Sequence, residues 1–441
     1  AMRAPHLARM ADATEYDTVI VGAGLAGLGA AHALRDAGRA VLVLEAAGRI
    51  GGRAFTAYPA ELGGLWFDMG AMWFHDADRN PLRRRAEAAG IALIATDTLR
   101  QERSQIGNRL LNAAESAEYD AAWARFEAAA APLLAPDMAD MPLSAVTARL
   151  AQDQWAHTVA AWEGAVIAAA DADRLSLRDW HRNRLAGRNL MPEGGIGAFV
   201  AGQLGRGLAI TTDCPVHRIR HGGPGGRVAL ETAQGRILAR TAIVTVSTGV
   251  LARGAIAFDP ALPAPIQAAI ASLPMGLATK IVLRATGADR LGLSPHTSLD
   301  YQVGAGETLI PFQCFPFGRD YVQAWLGGEA AWQAAREGPA AAAELALDRL
   351  AGLLGSDVRR HLSPALVTRW EADPLIGGAY CYAVPGQAGA RAVLGTPLAD
   401  GHLFLAGEAG ATDGLAGTLG GAWNTGQAAA RAVLETLECV A

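Results

Sequence analysis

The 441 residues hold four cysteines (Cys214, Cys314, Cys381 and Cys439), far apart and with neither a CxxC pair nor metal-ligand spacing. That argues against a disulfide scaffold and for a reducing compartment, the cytoplasm. There is no Ser-His-Asp set, HExxH or other metal pattern, so no metal is expected. Charge is sparse: 18% of residues are charged, the net charge is −5 and the pI is about 6.1. Nothing in that balance points to nucleic acid or an anionic membrane surface as a partner. No stretch reaches the ~18 uninterrupted apolar residues of a membrane span. The N-terminus, AMRAPHLARMADATEY, lacks a signal-peptide core, and Met2 or Met10 is read as the native start. Internal repeats and low-complexity linkers are missing too. With 51% hydrophobic residues, a chain of this length can bury two sizeable cores.

What is present is concentrated at residues 18–56, TVIVGAGLAGLGAAHALRDAGRAVLVLEAAGRIGGRAFT. An apolar run (Val19, Ile20, Val21) leads into Gly22-x-Gly24-x-x-Gly27, then an alanine-rich amphipathic stretch, then a second apolar run from Val41 to Leu44. The pattern predicts a β-α-β unit. Gly22 permits the tight turn, Gly24 lets the backbone approach a pyrophosphate, and Gly27 lets helix and strand pack closely. The helix N-terminus turns unpaired N–H groups and a positive dipole end toward phosphates. Glu45, 18 residues past Gly27, stands where a carboxylate can accept both ribose hydroxyls. A lone GxGxxG is weak, but strand, glycines, helix, second strand and acid all agree on a dinucleotide site. Past Glu45, Arg49 and Arg53 flank Gly51-Gly52, and guanidinium forks suit phosphate oxygens.

The LEA-x-x-R-x-G-G-R segment resembles the FAD site of the flavin amine oxidases, a family of monoamine, polyamine and spermine oxidases and the lysine-specific demethylase. Further segments carry the same resemblance. Residues 66–82 resemble the D-x-G-A-x-W-x-H stretch of polyamine oxidases, including Asn80-Pro81-Leu82, which implies that Gly70, Ala71, Met72 and Trp73 run along the flavin ring. The CPV-x-x-I segment implies that Val216 packs on the adenine. TAIVTVSTGVL resembles VTVPLGVL, with Ser247-Thr248 in place of Pro-Leu. The ending HLFLAGEAGATDGLAGTLGGAWNTG resembles the family's FAGE close. It implies that Gly407, Glu408, Thr418 and Leu419 join Ala26 and Ala46 in the FAD site.

Lys280 lies in LATKIVL, an apparent strand whose same-face neighbours Ala278 and Val282 are apolar. The resemblance implies that this lysine holds a water against flavin N5 and assists reoxidation by O2; burial would lower its pKa. RWEADPLIGGAYCY resembles the family's W-x-x-D-P-x-x-x-G-x-Y segment, which implies that Trp370 packs near the flavin and Tyr380 walls an aromatic amine cage. Monoamine oxidases bond the flavin through a cysteine just before that tyrosine. Here the residue is Ala379, so FAD should be non-covalent, and Cys381 is expected to point away. Thr418 aligns with their second cage tyrosine, leaving the cage half open. His75 aligns with a substrate-facing histidine. Asp76 and Asp78 beside it are expected to draw cationic amines to the pocket mouth.

Residues 59–75 read as strand and turn, 82–185 as an all-helical insertion with helices at 111–131 and 144–170, and 276–385 as strands with one long helix at 340–355. The expected fold is mixed α/β. A Rossmann-like FAD domain (14–85, 191–275 and 395–441) is joined to a substrate domain (86–190 and 276–394). The resemblance implies an FAD-dependent amine oxidase: hydride passes from the carbon α to a neutral amine onto flavin N5, the imine hydrolyses, and O2 becomes hydrogen peroxide. A polyamine or other secondary amine is the first-choice substrate. Alternatives are a specialised amine oxidase or dehydrogenase with another acceptor, a desaturase-like FAD enzyme, and a flavin-binding interaction protein. A homodimer is left open.

Overall fold

The computed structural model describes residues 16–222 and 226–439. The expected starts at Met2, Met10 and residue 14, and the tip of the glycine-rich hairpin at 223–225, lie outside the described residues. The strand Tyr16–Val21 carries Val19 and Ile20 at zero exposure, as a strand covered on both faces must. It pairs in parallel with Val41–Leu44 on one side and Gly235–Val244 on the other. Ile210–Thr211 and Leu403–Leu405 extend this parallel core at its two sides. An antiparallel annex of Val216–Arg220 and Val228–Thr232, with Ala257–Asp259 pairing parallel at its edge, completes an eight-stranded sheet.

The helix Leu25–Asp36 lies on the terminal helix Leu419–Cys439. Their backbones come so close that a Cβ on Gly426 would sit 1.9 Å from the Ala26 carbonyl oxygen. The terminal helix is thereby packed directly against the helix that follows the glycine turn.

A second sheet has seven strands in the order Leu362–Val367, Ala278–Ala285, Tyr321–Gly327, Phe312–Cys314, Thr297–Tyr301, Gln101–Ile106, Arg109–Leu110. It is antiparallel except where Thr297–Tyr301 runs parallel to Gln101–Ile106. The helix Pro339–Leu354, close to the expected 340–355, buries Ala342, Ala346, Leu350 and Leu353 in the same core as Leu283 and Val322. Leu299 and Tyr301 also face that core, so His296, Ser298 and Asp300 face the opposite way.

Two expectations need correction. Residues 82–185 are not all helical: Leu93–Ile94, Gln101–Ile106 and Arg109–Leu110 are strands. QERSQI carries so few apolar side chains that its period of two was invisible, and the ladder to Thr297–Tyr301 supplies what pattern did not. The helix read over 144–170 is broken into Ser144–Arg149 and Ala156–Ala161, followed by a π-helical turn over Trp162–Ala168. Residues 59–75 contribute only Phe67–Asp68, paired with Thr56–Ala57, to strand structure. No helix among the described residues is long and apolar enough to cross a membrane.

Candidate active site

A single cavity of about 1160 Å³ runs from the glycine turn of the first sheet onto the second sheet. Pockets for one drug-sized ligand reach about 1,000 Å³, and this one is larger. At the turn, Gly22 has φ +102 and a Cβ on Gly27 would lie 1.9 Å from the Gly22 carbonyl oxygen. A Cβ on Gly24 would meet nothing within 4 Å. The turn is therefore packed underneath and open above, the shape a pyrophosphate needs. Glu45 accepts from the Ala23 and Ala47 backbone N–H groups at 2.6 and 2.8 Å, which orient its carboxylate at the cavity wall. Val216 and Ala46 line the same end.

The two loop arginines are more engaged than a free phosphate clamp. Arg49 donates to the Gly52 carbonyl at 2.8 Å and lies 4.1 Å over the Phe55 ring. Arg53 donates to the Ala379 carbonyl at 2.6 Å and to Glu408 at 2.8 Å. Glu408 also accepts from the Cys381 backbone N–H at 3.1 Å and its thiol at 3.3 Å. Arg391 donates to that thiol at 3.2 Å and pairs with Asp179 at 2.6 Å. Cys381 thus sits inside a buried ion network, and burial with the Glu408 charge pushes its thiol up. Sequence reasoning missed Arg391 and Asp179, because each reads as an ordinary helix-surface charge until the fold buries it.

Lys280 lies on Ala278–Ala285, 7% exposed, and is the only lysine among the chain's 38 lysines and arginines. Its Nζ donates to the Asp68 and Gly70 carbonyls, both at 2.6 Å. Burial pulls its pKa down to about 7, with Asp68 partly opposing. Asp68 is itself held by the Thr56 hydroxyl and the Ile196 N–H, and burial raises its carboxyl. Trp370 donates from its indole to the Met69 carbonyl at 3.0 Å. A Cβ on Gly70 would lie 2.0 Å from the Arg53 carbonyl oxygen and 3.1 Å from the Trp370 ring, so residues 68–70 are pinned from three sides.

Next along the wall come Ala71, Met72 and Trp73; the Trp73 indole donates to Thr96 at 3.0 Å and its ring stacks on Trp325. His75 shares a 2.8 Å hydrogen bond with Asn189, and burial lowers its pKa. Tyr380 donates to the Ile167 carbonyl at 2.7 Å, and burial raises its phenol. Thr418, Leu419 and Gly407 line the cavity as well. The Thr418 hydroxyl is spent on the terminal helix, donating to the Leu415 carbonyl and accepting from the Gly421 N–H.

Two expectations about the site give way. Asp76 is 7% exposed, paired with Arg79 at 2.8 Å, and absent from the cavity wall; Asp78 pairs with Arg83 and Arg188. Neither lines the cavity, so neither is placed to meet an amine inside it. Gly27 is also off the wall, underneath the turn. Among the described residues, no cluster of His, Cys, Asp and Glu is suited to a metal ion.

The chain resembles known proteins along most of its length. The family model for flavin-containing amine oxidoreductases matches residues 25–434. Polyamine oxidase 2 of Arabidopsis thaliana is 28% identical, over 93% of this chain and 86% of its own. Lysine-specific histone demethylase 1 homolog 3 of Oryza sativa subsp. japonica is 30% identical, over 90% of this chain and 51% of its own. In fold, a solved redesigned putrescine oxidase superposes with a TM-score of 0.75 at 20% identity, covering 96% of this chain and 99% of that one.

Proposed function

The chain belongs to the flavin-containing amine oxidoreductases, and from that membership we propose that it is an FAD-dependent oxidase converting a polyamine or related secondary amine to an imine, with O2 as acceptor and hydrogen peroxide as product. FAD is the cofactor and amines are the substrate class of the family. The polyamine and the acceptor are our reading, supported by the polyamine oxidases among the relatives.

Residues 16–85, 191–275 and 395–439 would hold FAD, and 86–190 with 276–394 would hold the amine. The open face over Gly24, the Glu45 carboxylate and Val216 fit the dinucleotide; Gly70 to Trp73, Trp370, Gly407 and Leu419 fit the ring end. Residue 379 is alanine, and the Cys381 thiol, which reaches the cavity wall instead of pointing away, is hydrogen-bonded to Glu408 and Arg391, which fits non-covalent binding. When bound, the flavin takes two electrons from the amine and passes them to O2.

The observation that carries the reading is Lys280, a buried amine with a pKa near 7 between the Asp68 and Gly70 carbonyls. Such a group is charged or neutral at little cost near neutral pH, so it can hold a water or deliver a proton where oxygen is reduced. Tyr380, half-buried and tied to Ile167, gives the amine a fixed ring face. Apolar walls strip water from the amine and favour its neutral, reactive form.

The test is anaerobic stopped-flow absorbance of the FAD-loaded protein at about 450 nm, followed by mixing with O2 and a peroxide assay. Bleaching by spermidine or spermine, then recovery with peroxide, is expected. If dithionite bleaches the flavin and no amine does, the reading is lost.

A further inference from the structure

Ladder register places Lys280 in a row that crosses most of the second sheet. It pairs with Trp325, whose N–H donates to the Pro311 carbonyl. The Leu299–Phe312 pair sets Asp300 beside Pro311, and Asp300 pairs with Ser104. Lys280, Trp325, Pro311, Asp300 and Ser104 all line the cavity. Three strand spacings separate the Lys280 and Asp300 strands, about 14 Å at one face of the sheet.

Asp300 is 7% exposed. Its Oδ2 accepts from the Tyr119 hydroxyl at 2.8 Å and the Trp162 indole at 3.2 Å; its Oδ1 makes no well-aligned hydrogen bond among the described residues, the Ser104 side chain being the polar group beside the carboxyl, and burial raises its pKa. A buried carboxylate with an unsatisfied oxygen is costly unless something cationic joins it. Glu102, one strand further on the same face, and Asp120, on the helix Ala113–Ala130 beside Tyr119, line the same part of the cavity. The nearby cation Arg100 is shared between Asp97 and Glu102.

Resting on the amine oxidase reading, we propose that Asp300, with Glu102 and Asp120, is the subsite for a distal ammonium of a long polyamine and sets substrate length. A four-carbon diamine, with five bonds of about 1.5 Å each, cannot bridge that distance, whereas spermidine and spermine come closer to it. Trp325 and Trp162 offer ring faces between the two ends, suited to the methylene spacers and inner nitrogens.

The experiment compares FAD-loaded wild type, Asp300→Asn and the double variant Glu102→Gln/Asp120→Asn in anaerobic flavin reduction by spermine, spermidine, putrescine and butylamine. Wild type should favour spermine and spermidine over putrescine. Asp300→Asn should raise their half-saturating concentrations about tenfold or more, with limiting reduction rates and butylamine saturation near wild type. The double variant, on exposed residues, should shift the same substrates less and decides the matter if Asp300→Asn does not fold. Amine-driven bleaching with equal effects on spermine and butylamine, or none in either variant, overturns the subsite and leaves the oxidase standing. A wild-type flavin that no amine bleaches overturns the oxidase reading itself.

Discussion

At the glycine turn the cavity wall is backbone: Gly24 is bare to the lumen, Glu45 is fixed by two N–H groups, and Gly27 is wedged against Gly22. Over the second sheet the wall is side chains: Lys280, Trp325 and Asp300 project from three strands of one face, each held by hydrogen bonds or stacking from elsewhere in the chain. A backbone wall binds what every dinucleotide shares, and it does so with residues close in sequence. A side-chain wall can be changed one residue at a time, which suits the part that chooses the amine.

The seam between the two regions is the place to break the comparison hardest. Arg391→Met strands the buried Asp179 carboxylate and should cost about 3–5 kcal/mol, read as a lower denaturant midpoint; an unchanged midpoint would show that the network is dispensable. Lys280→Met leaves the glycine wall intact, so flavin should still load, but reoxidation by O2 should slow about a hundredfold. An unchanged oxidation trace would remove Lys280 from the oxygen step.

The backbone wall can then be split within itself. Gly27→Ala drives a methyl into the Gly22 carbonyl and should cost about 1–3 kcal/mol of apoprotein stability. Gly24→Ala meets no protein atom within 4 Å, so the apoprotein should melt as wild type while flavin retention falls. Equal melting losses in both would contradict the packed-below, open-above geometry.

The effect that is smallest at any single step is a pH slope. Lys280 titrates near 7 in the fold instead of near 10.5, so between those values the unfolded chain binds more protons. Stability should therefore rise with pH across that window, by about 1.4 kcal/mol per unit, and the full burial cost should be present below it. Urea unfolding of wild type against Lys280→Met checks this: the wild type's deficit should shrink as pH rises.

The β-α-β unit, the returning C-terminal strand and helix, and the long helix near 340–355 were legible because each is a local pattern with its own punctuation. Lys280 and Trp370 were legible by resemblance, and the cavity wall includes both. The strand Gln101–Ile106 was not, since the side chains it turns to the cavity, Glu102 and Ser104, are polar and leave no apolar alternation to read. The same ambiguity misled the reading of Asp76 and Asp78: an aspartate near a pocket motif looks like a ligand until an arginine is seen on it. Asp300 escaped notice because nothing within TSLDY marks it, and its surroundings are set by Tyr119 and Trp162, distant in the chain.

By itself the sequence determined the turn chemistry, the apolar strands and the family, all set by neighbours within a few residues. Only the tertiary structure decided which charges are buried, which are neutralised and which line the cavity. Those outcomes depend on contacts between residues as far apart as Asp68 and Lys280, or Asp179 and Arg391. A charge's energy is set by the groups packed around it, not by its neighbours in the chain.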